Sequence, residues 1–282
     1  MQTHSADSYR YANMNTTGAT MKKLFLIKQY FIYLLKAKNA HGVHSPFVFE
    51  FVNNVLKDDR HFYAFDEIKN LRRDTYANNT LLNIEDFGAG SHKQNFKQRK
   101  VNDIAKTAGR NEKFGRLLFR IVNKYKPRNI VELGTSMGLG TVYLAMANKD
   151  SSVTTIEGSS EVATQAGKHF AELGIDNVTQ HTGNFDMVLV DILRSLGKVD
   201  LLFVDGNHRM KPTLQYFNDA KPFLHNDSIV IFDDIHWSAD MHEAWQIIKN
   251  DISVTLSIDL FYFGIVFFQK EFKEKQDFVL RY

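Results

Sequence analysis

Asn129-Ile130-Val131-Glu132-Leu133-Gly134-Thr135-Ser136-Met137-Gly138-Leu139-Gly140-Thr141, continued by Val142-Tyr143-Leu144-Ala145, reads as a buried strand ending in an acidic residue, a glycine-rich turn, and the start of a helix. Glycine at a strand-to-helix turn permits positive φ and lets a ligand approach the backbone closely. The helix start beyond it offers N–H groups that have no intrahelical partner. The spacing Gly-x-x-x-Gly-x-Gly differs from the Gly-x-Gly-x-x-Gly of dinucleotide folds, and the Gly-Lys-Ser/Thr of a phosphate-binding loop does not occur. An acidic residue two positions before the first glycine sits poorly beside a pyrophosphate and well beside a cation.

Around this stretch the chain alternates strand and helix, the pattern of a parallel sheet covered on both faces. Candidate strands are 129–133, 152–156, 178–181, 201–204 and 229–232, followed by 254–258 and 264–268. A helix from about Ser160 to Leu173 closes on Gly174, a plausible C′ glycine. Glu157 follows the second strand, 23 residues after Gly134. An acidic group there can accept hydrogen bonds from both ribose hydroxyls of a nucleoside, as it does in dinucleotide folds. Thr182-Gly183-Asn184-Phe185 closes the third strand.

S-adenosylmethionine carries a sulfonium and an ammonium, and so suits the turn better than a dinucleotide. On these residues the chain resembles the class I S-adenosylmethionine-dependent methyltransferases, and more narrowly their small-molecule O-methyltransferase branch, over roughly residues 111 to 270. The resemblance implies an α/β fold with a Rossmann-like, seven-stranded, mostly parallel sheet whose last strand inserts antiparallel. It implies a cofactor site built from Glu132, Gly134, Thr135, Ser136, Gly138, Gly140, Glu157, Asn184, Phe185 and Asp205. Asn184 stands where Asp is more usual, and its amide can still bond the adenine edge. Phe185 packs on the adenine ring or belongs to the core.

Asp205 ends the fourth strand in Leu201-Leu202-Phe203-Val204-Asp205-Gly206-Asn207-His208, and Asp233 and Asp234 end the fifth. These ends are neighbours in a parallel sheet, so three carboxylates converge beside the methyl donor. Without compensation they would repel, and one would be forced neutral. A divalent cation resolves the repulsion, and Mg²⁺ or Mn²⁺ fits all-oxygen ligation. The arrangement is similar to catechol-type O-methyltransferases, in which an Asp at the fourth strand and an Asp-Asn pair at the fifth hold the ion. Here Asp234 replaces that Asn, which adds negative charge. His208 falls at the position of that group's catalytic lysine. It is a reasonable general base for a hydroxyl, or alternatively a metal ligand, as the Asp-Gly-x-His pattern of sugar and macrolide methyltransferases permits. His236 and Trp237 are candidates to line the acceptor pocket, and Trp237 could equally be core.

The rest of the sequence sets bounds. With 44% hydrophobic and 13% aromatic residues the chain can bury a sizeable core. It has no cysteine, which excludes disulfides, thiolate nucleophiles and Cys-ligated zinc and is compatible with a cytoplasmic location. Residues 1–110 carry 17 Lys/Arg against 10 Asp/Glu, a net +7, while the remainder carries a net −4. A basic front half can meet an anionic substrate, a nucleic acid or a membrane surface, or can simply be a solvated face. The Asn/Asp-Pro-Pro-Tyr/Phe motif of amino-group base methyltransferases is absent from the fourth strand, which disfavours a nucleic-acid base as substrate. A non-catalytic or RNA-directed S-adenosylmethionine-binding protein is the alternative reading.

Residues 1–20 are polar and read as an unstructured lead, and 21–110 as a mainly helical extension preceding the methyltransferase domain at 111–282. Leu24, Ile27, Phe31 and Leu34 fall on one helical face, expected to dock on the catalytic domain or on a homodimer partner rather than to insert into a membrane. Ser45-Pro46 suits a helix start. His41 and His44 beside that turn read as capping or packing groups rather than as metal ligands. Asp86-Phe87-Gly88-Ala89-Gly90-Ser91 imitates a cofactor loop, but the polar, basic sequel through Lys93–Lys106 reads it as a loop or lid.

Overall fold

The computed structural model describes residues 5–39, 42–85, 96–108 and 111–282. The first elements are helix α1 (Ser5–Lys36), α2 (Pro46–Phe51) running into a π-helical turn at Val52–Leu56, and α3 (Tyr63–Ala77). They are followed by β1 (Leu81–Glu85), β2 (Phe96–Lys100), α4 (Val101–Ala108) and α5 (Glu112–Tyr125). The alternating part runs β3 (Asn129–Leu133), α6 (Thr141–Ala147), β4 (Ser152–Glu157), α7 (Ser160–Glu172), β5 (Val178–Thr182), α8 (Phe185–Leu196), β6 (Val199–Val204), α9 (Met210–Ala220) and β7 (Leu224–Phe232). The chain ends with α10 (Ala239–Asn250), β8 (Leu256–Asp259), β9 (Gly264–Phe267) and β10 (Gln276–Val279).

Strands β3 to β10 form one sheet of eight strands in the order β10-β8-β9-β7-β6-β3-β4-β5. β9 runs antiparallel between β7 and β8, while the other neighbouring pairs are parallel. The expected seven strands are therefore joined by an eighth, β10, at the edge. Side chains alternate across the sheet with the two-residue period of a strand. Ile130, Leu201, Phe203, Ile229 and Ile231 face the core under α2 and α5. Val131, Leu133, Leu202, Val204, Val230 and Phe232 face the opposite layer, with α8, α9 and α10. From β3 the chain winds outward through β4 to β5, then crosses to β6 on the other side of β3. This reversal opens a crevice at the carboxyl ends of β3 and β6, where folds of this kind take ligands.

The N-terminal elements are mainly helical, with one departure. β1 pairs antiparallel with β2, with Leu81 opposite Lys100 and Glu85 opposite Phe96, so a hairpin stands where only helix and loop were expected. It packs on the start of α7, where Asn83 donates from its backbone and its side chain to Glu161, at 2.6 and 2.9 Å. Asp86–Ser91 lies outside the described residues, as do Lys93 and His41; His44 is exposed. Helix α1 takes in most of the polar lead.

Helix α1 docks by a different face from the one its spacing suggested. The Tyr33 hydroxyl donates to the Leu280 carbonyl at 2.7 Å and accepts from the Tyr282 N–H at 3.1 Å. Tyr30 and Tyr33 meet the Phe261 ring at 5.0 and 5.4 Å. Leu24, Ile27 and Phe31 face solvent instead. The helix is apolar on most of its circumference, so periodicity cannot select its buried side; the two-way hydrogen bonding of Tyr33 does. Tyr33→Phe is expected to cost about 1–2 kcal/mol in denaturant-induced unfolding, since it strands two buried backbone groups. An unchanged midpoint and slope would show that this seam adds nothing. No helix among the described residues is long and apolar enough to cross a membrane.

Candidate active site

The Gly134 turn lies where the ends of β3 and β6 touch. The Asp205 N–H donates to the Leu133 carbonyl at 2.9 Å. Gly134 has φ +107, and a Cβ there would come within 2.0 Å of the Asp205 carbonyl oxygen, so only glycine fits. Ser136 also takes positive φ, at 48°, an uncommon conformation for a residue with a side chain. Its N–H is thereby aimed at Glu157, whose Oε2 accepts it at 2.8 Å, while Oε1 accepts the Ser159 N–H at 3.0 Å. Glu157 thus ties the glycine turn to the end of β4. Burial pushes its carboxyl upward, opposed by these backbone hydrogen bonds. A carboxylate has about four lone-pair sites, so acceptor capacity remains for ribose hydroxyls.

Glu132 is buried beneath the turn. Its Oε2 accepts from the hydroxyls of Thr141 at 2.5 Å and Thr155 at 2.7 Å. The Thr155 hydroxyl also pairs with that of Thr135 at 2.6 Å. Burial raises the Glu132 carboxyl from 4.5 to about 8; the hydroxyl bonds oppose the shift, and the charges of Asp205 and Glu157 add to it. Thr141 and Thr155 are partners of Glu132 that motif reading passed over. Their signal was the pair of hydroxyls flanking an acidic strand end, one on the next strand and one opening the helix. Gly140 caps α6 without a side-chain acceptor, and a Cβ there would press on Glu132 Oε1 at 3.1 Å. Gly138, at φ +73, lies against Phe170 of α7.

Asn184 is the N-cap of α8, its side-chain oxygen accepting from the Asp186 N–H at 3.0 Å. That leaves its amide N–H₂ as the group with which to meet a base. Phe185 packs under the Asp205–Gly206 turn, so close that a Cβ on Gly206 would lie 2.6 Å from its ring, and it meets the Tyr216 ring at 5.7 Å.

At the ends of β6 and β7, Asp205, His208 and Asp233 come together, each presenting one ligand atom within 4.8 Å of the others. His208 Nε2 lies 3.7 Å from Asp205 Oδ1. Asp233 is buried, and its Oδ1 accepts the Asp234 N–H at 2.7 Å. Asp234 takes positive φ, at 54°, and its carboxylate is not part of this cluster. The residues brought together are therefore Asp205, His208 and Asp233 rather than Asp205, Asp233 and Asp234. Two carboxylates and an imidazole fit a divalent cation that accepts mixed nitrogen and oxygen ligation.

His236 is engaged by its neighbours at both ring nitrogens. Its Nε2 pairs with Asp259 Oδ2 at 2.8 Å and its Nδ1 with His242 Nδ1 at 2.9 Å, and Trp245 Nε1 donates to the same Asp259 oxygen at 3.2 Å. It belongs to a buried polar network under α1. Trp237 is half exposed.

Residues 131–235 match a family model described as a methyltransferase domain. Among solved structures, the chain is similar to the SAH-bound methyltransferase PaMTH1 of Podospora anserina, with 14% identity and a TM-score of 0.56, covering 81% of this chain and 98% of that one. It is similar to cofactor-bound Rv0187 from MTB, with 17% identity and a TM-score of 0.51, covering 80% and 98%. It is also similar to the O-methyltransferase TomG of Streptomyces achromogenes, involved in tomaymycin synthesis and solved in complex with SAM, with 19% identity and a TM-score of 0.50, covering 74% and 91%.

Proposed function

We propose that this chain, whose residues 131–235 match a family model described as a methyltransferase domain, is an enzyme that moves a methyl group from S-adenosylmethionine to the hydroxyl oxygen of a small molecule. The observation that carries this reading is the meeting of two unlike sites at one switch point. The glycine turn with Glu132 and Glu157 lies at the end of β3, and Asp205, His208 and Asp233 lie at the neighbouring ends of β6 and β7. The O-methyltransferase TomG, with SAM in its structure, is a relative in fold that supports the same chemistry.

In this reading residues 111–282 are the catalytic unit and residues 21–110 shape the acceptor side. Glu157 accepts the ribose hydroxyls, Asn184 bonds the adenine edge, and Phe185 supports that end of the crevice. Glu132 lies behind the turn, where a cationic donor favours its carboxylate form. S-adenosylmethionine supplies an already activated methyl group, so the chain's task is alignment and removal of one proton. Alignment contributes on the order of seven kcal/mol or more where it is good. His208 takes the hydroxyl proton as the oxygen–methyl bond forms and the carbon–sulfur bond breaks. A divalent cation held by Asp205 and Asp233 would lower the hydroxyl pKa and fix its position. The closeness of His208 Nε2 to Asp205 favours a second reading, in which His208 is the third ligand. An imidazole in the set suits a transition-metal ion better than Mg²⁺.

The test is calorimetric titration with S-adenosylmethionine, with and without Mn²⁺ or Mg²⁺, followed by methyl release in the presence of a panel of hydroxyl compounds. One site per chain is expected. Glu157→Ala should weaken binding by roughly 10- to 100-fold, the loss of hydrogen bonds to a charged acceptor. Unchanged affinity in that variant removes the ribose role. Binding without turnover on any hydroxyl would favour the non-catalytic or RNA-directed alternative.

A further inference from the structure

Helix α1 presents a second face that is exposed to solvent. Leu24, Ile27, Phe31 and Leu35 follow one another at spacings of three and four, which places them along one side of the helix. They are 53 to 88% exposed, although each is a large apolar residue, and Met21 extends the row at 71%. The opposite side, with Phe25, Leu26, Gln29 and Tyr33, is the one turned toward the fold. Contiguous exposed apolar side chains of this kind mark an interaction surface.

The charge around the row selects the partner. Lys22, Lys23, Lys28, Lys36 and Lys38 are all exposed on the same helix and just beyond its end. Between Asp7 and Glu50 the chain has no acidic residue. A second copy docked through this row would bring lysines against lysines around the seam, with no carboxylate between Asp7 and Glu50 to offset them. An anionic partner meets no such penalty. An apolar row flanked by Lys23 and Lys28, with Phe31 in it and Lys22, Lys36 and Lys38 exposed towards the two ends of the helix, has the build of a helix that lies in a bilayer surface, ring and aliphatic groups inward and ammonium groups at the phosphates.

We propose that the outer face of α1 seats this protein on an anionic lipid surface, as a peripheral rather than a spanning attachment. Binding combines burial of Leu24, Ile27, Phe31 and Leu35 with attraction of Lys23 and Lys28, beside the row, and of the lysines at the helix ends to phosphate head groups. None of the residues of this face is among those placed in the crevice.

The test is co-sedimentation of the full chain with vesicles of phosphatidylcholine alone and of phosphatidylcholine mixed with phosphatidylglycerol. Association with the mixed vesicles is expected, weakening as salt is raised. The double variant Phe31→Glu/Leu35→Glu should lose roughly tenfold or more in partitioning. Because both residues are exposed, circular dichroism and the thermal midpoint should match the parent chain. Lys22→Gln/Lys23→Gln/Lys28→Gln should bind mixed vesicles no better than neutral ones. Absence of binding at low salt would overturn the proposal, as would binding indifferent to the Phe31/Leu35 pair. So would a chain that ignores vesicles and elutes as a dimer dissociated by Phe31→Glu/Leu35→Glu, since a second copy would then occupy the face.

Discussion

Glu132→Gln is expected to make the protein more stable than the parent chain above about pH 8 and to flatten its stability between weakly acidic and alkaline pH. Burial raises the Glu132 carboxyl from 4.5 to about 8, so the folded chain holds a proton that the unfolded chain releases across this window. The folded state binds more protons than the unfolded one there, and stability must fall as pH rises through it. The full shift corresponds to a loss of up to roughly 5 kcal/mol. Gln keeps the volume and an acceptor oxygen for the hydroxyls of Thr141 and Thr155, but has no proton to lose. Urea unfolding of both proteins over a pH series measures the difference. Parallel pH dependence in the two would locate the titrating group elsewhere. The same linkage predicts the pH dependence of cofactor binding: a cationic donor favours the carboxylate form of Glu132, so affinity rises with pH toward about 8 and binding releases a proton. Calorimetry in buffers of different ionisation enthalpy detects that proton, and Glu132→Gln should abolish it.

Asp233→Asn and His208→Gln are expected to lower kcat/KM for methyl transfer by roughly 10²- to 10⁴-fold, the range for removal of a positioned acid–base group. Asp233 is buried, and its Oδ1 receives the Asp234 N–H, a bond that the Asn carbonyl can still accept. The substitution therefore removes charge and keeps the turn. If the cluster holds a cation, Asp233→Asn weakens Mn²⁺ binding in titrations monitored by electron paramagnetic resonance, and excess Mn²⁺ restores part of the rate. His208→Gln separates the two roles of the imidazole. As a base it removes the acidic limb of the pH–rate profile and leaves metal affinity intact; as a ligand it weakens the metal and responds to excess Mn²⁺. Near-parental rates in both variants, with EDTA without effect, would exclude the cluster from the chemistry.

Much of this site was legible in the residues. Glu132-x-Gly134 and Glu157 announce themselves because glycine is required where β3 meets the Asp205 turn, and because acids at the ends of buried strands have little structural reason to be there. Asp205 and Asp233 were legible for the same reason, and His208 through its place three residues after Asp205. Their grouping was not, because which of Asp233 and Asp234 points inward depends on the positive φ of Asp234, a turn conformation that two adjacent aspartates do not encode by type. Thr141 and Thr155 were invisible as partners of Glu132, since a hydroxyl inside a strand or at a helix start is ordinary on its own. The pairing of His236 with Asp259, 23 positions later, was not legible either, since nothing in the spacing links the two.

Alternation with period two, glycine spacing and strand-end acids are local properties, and they determined by themselves the order of elements, the parallel sheet and the position of the crevice. The edge strand β10, the β1–β2 hairpin and the seat of α1 depend on pairings between distant segments. Gln276 donates its N–H to Thr255, Glu85 lies opposite Phe96, and Tyr33 bonds to Leu280. Short polar strands and a helix apolar on most sides are compatible with several partners. Only the folded chain selects one, because it alone brings together the backbone groups that would otherwise be left without a hydrogen bond.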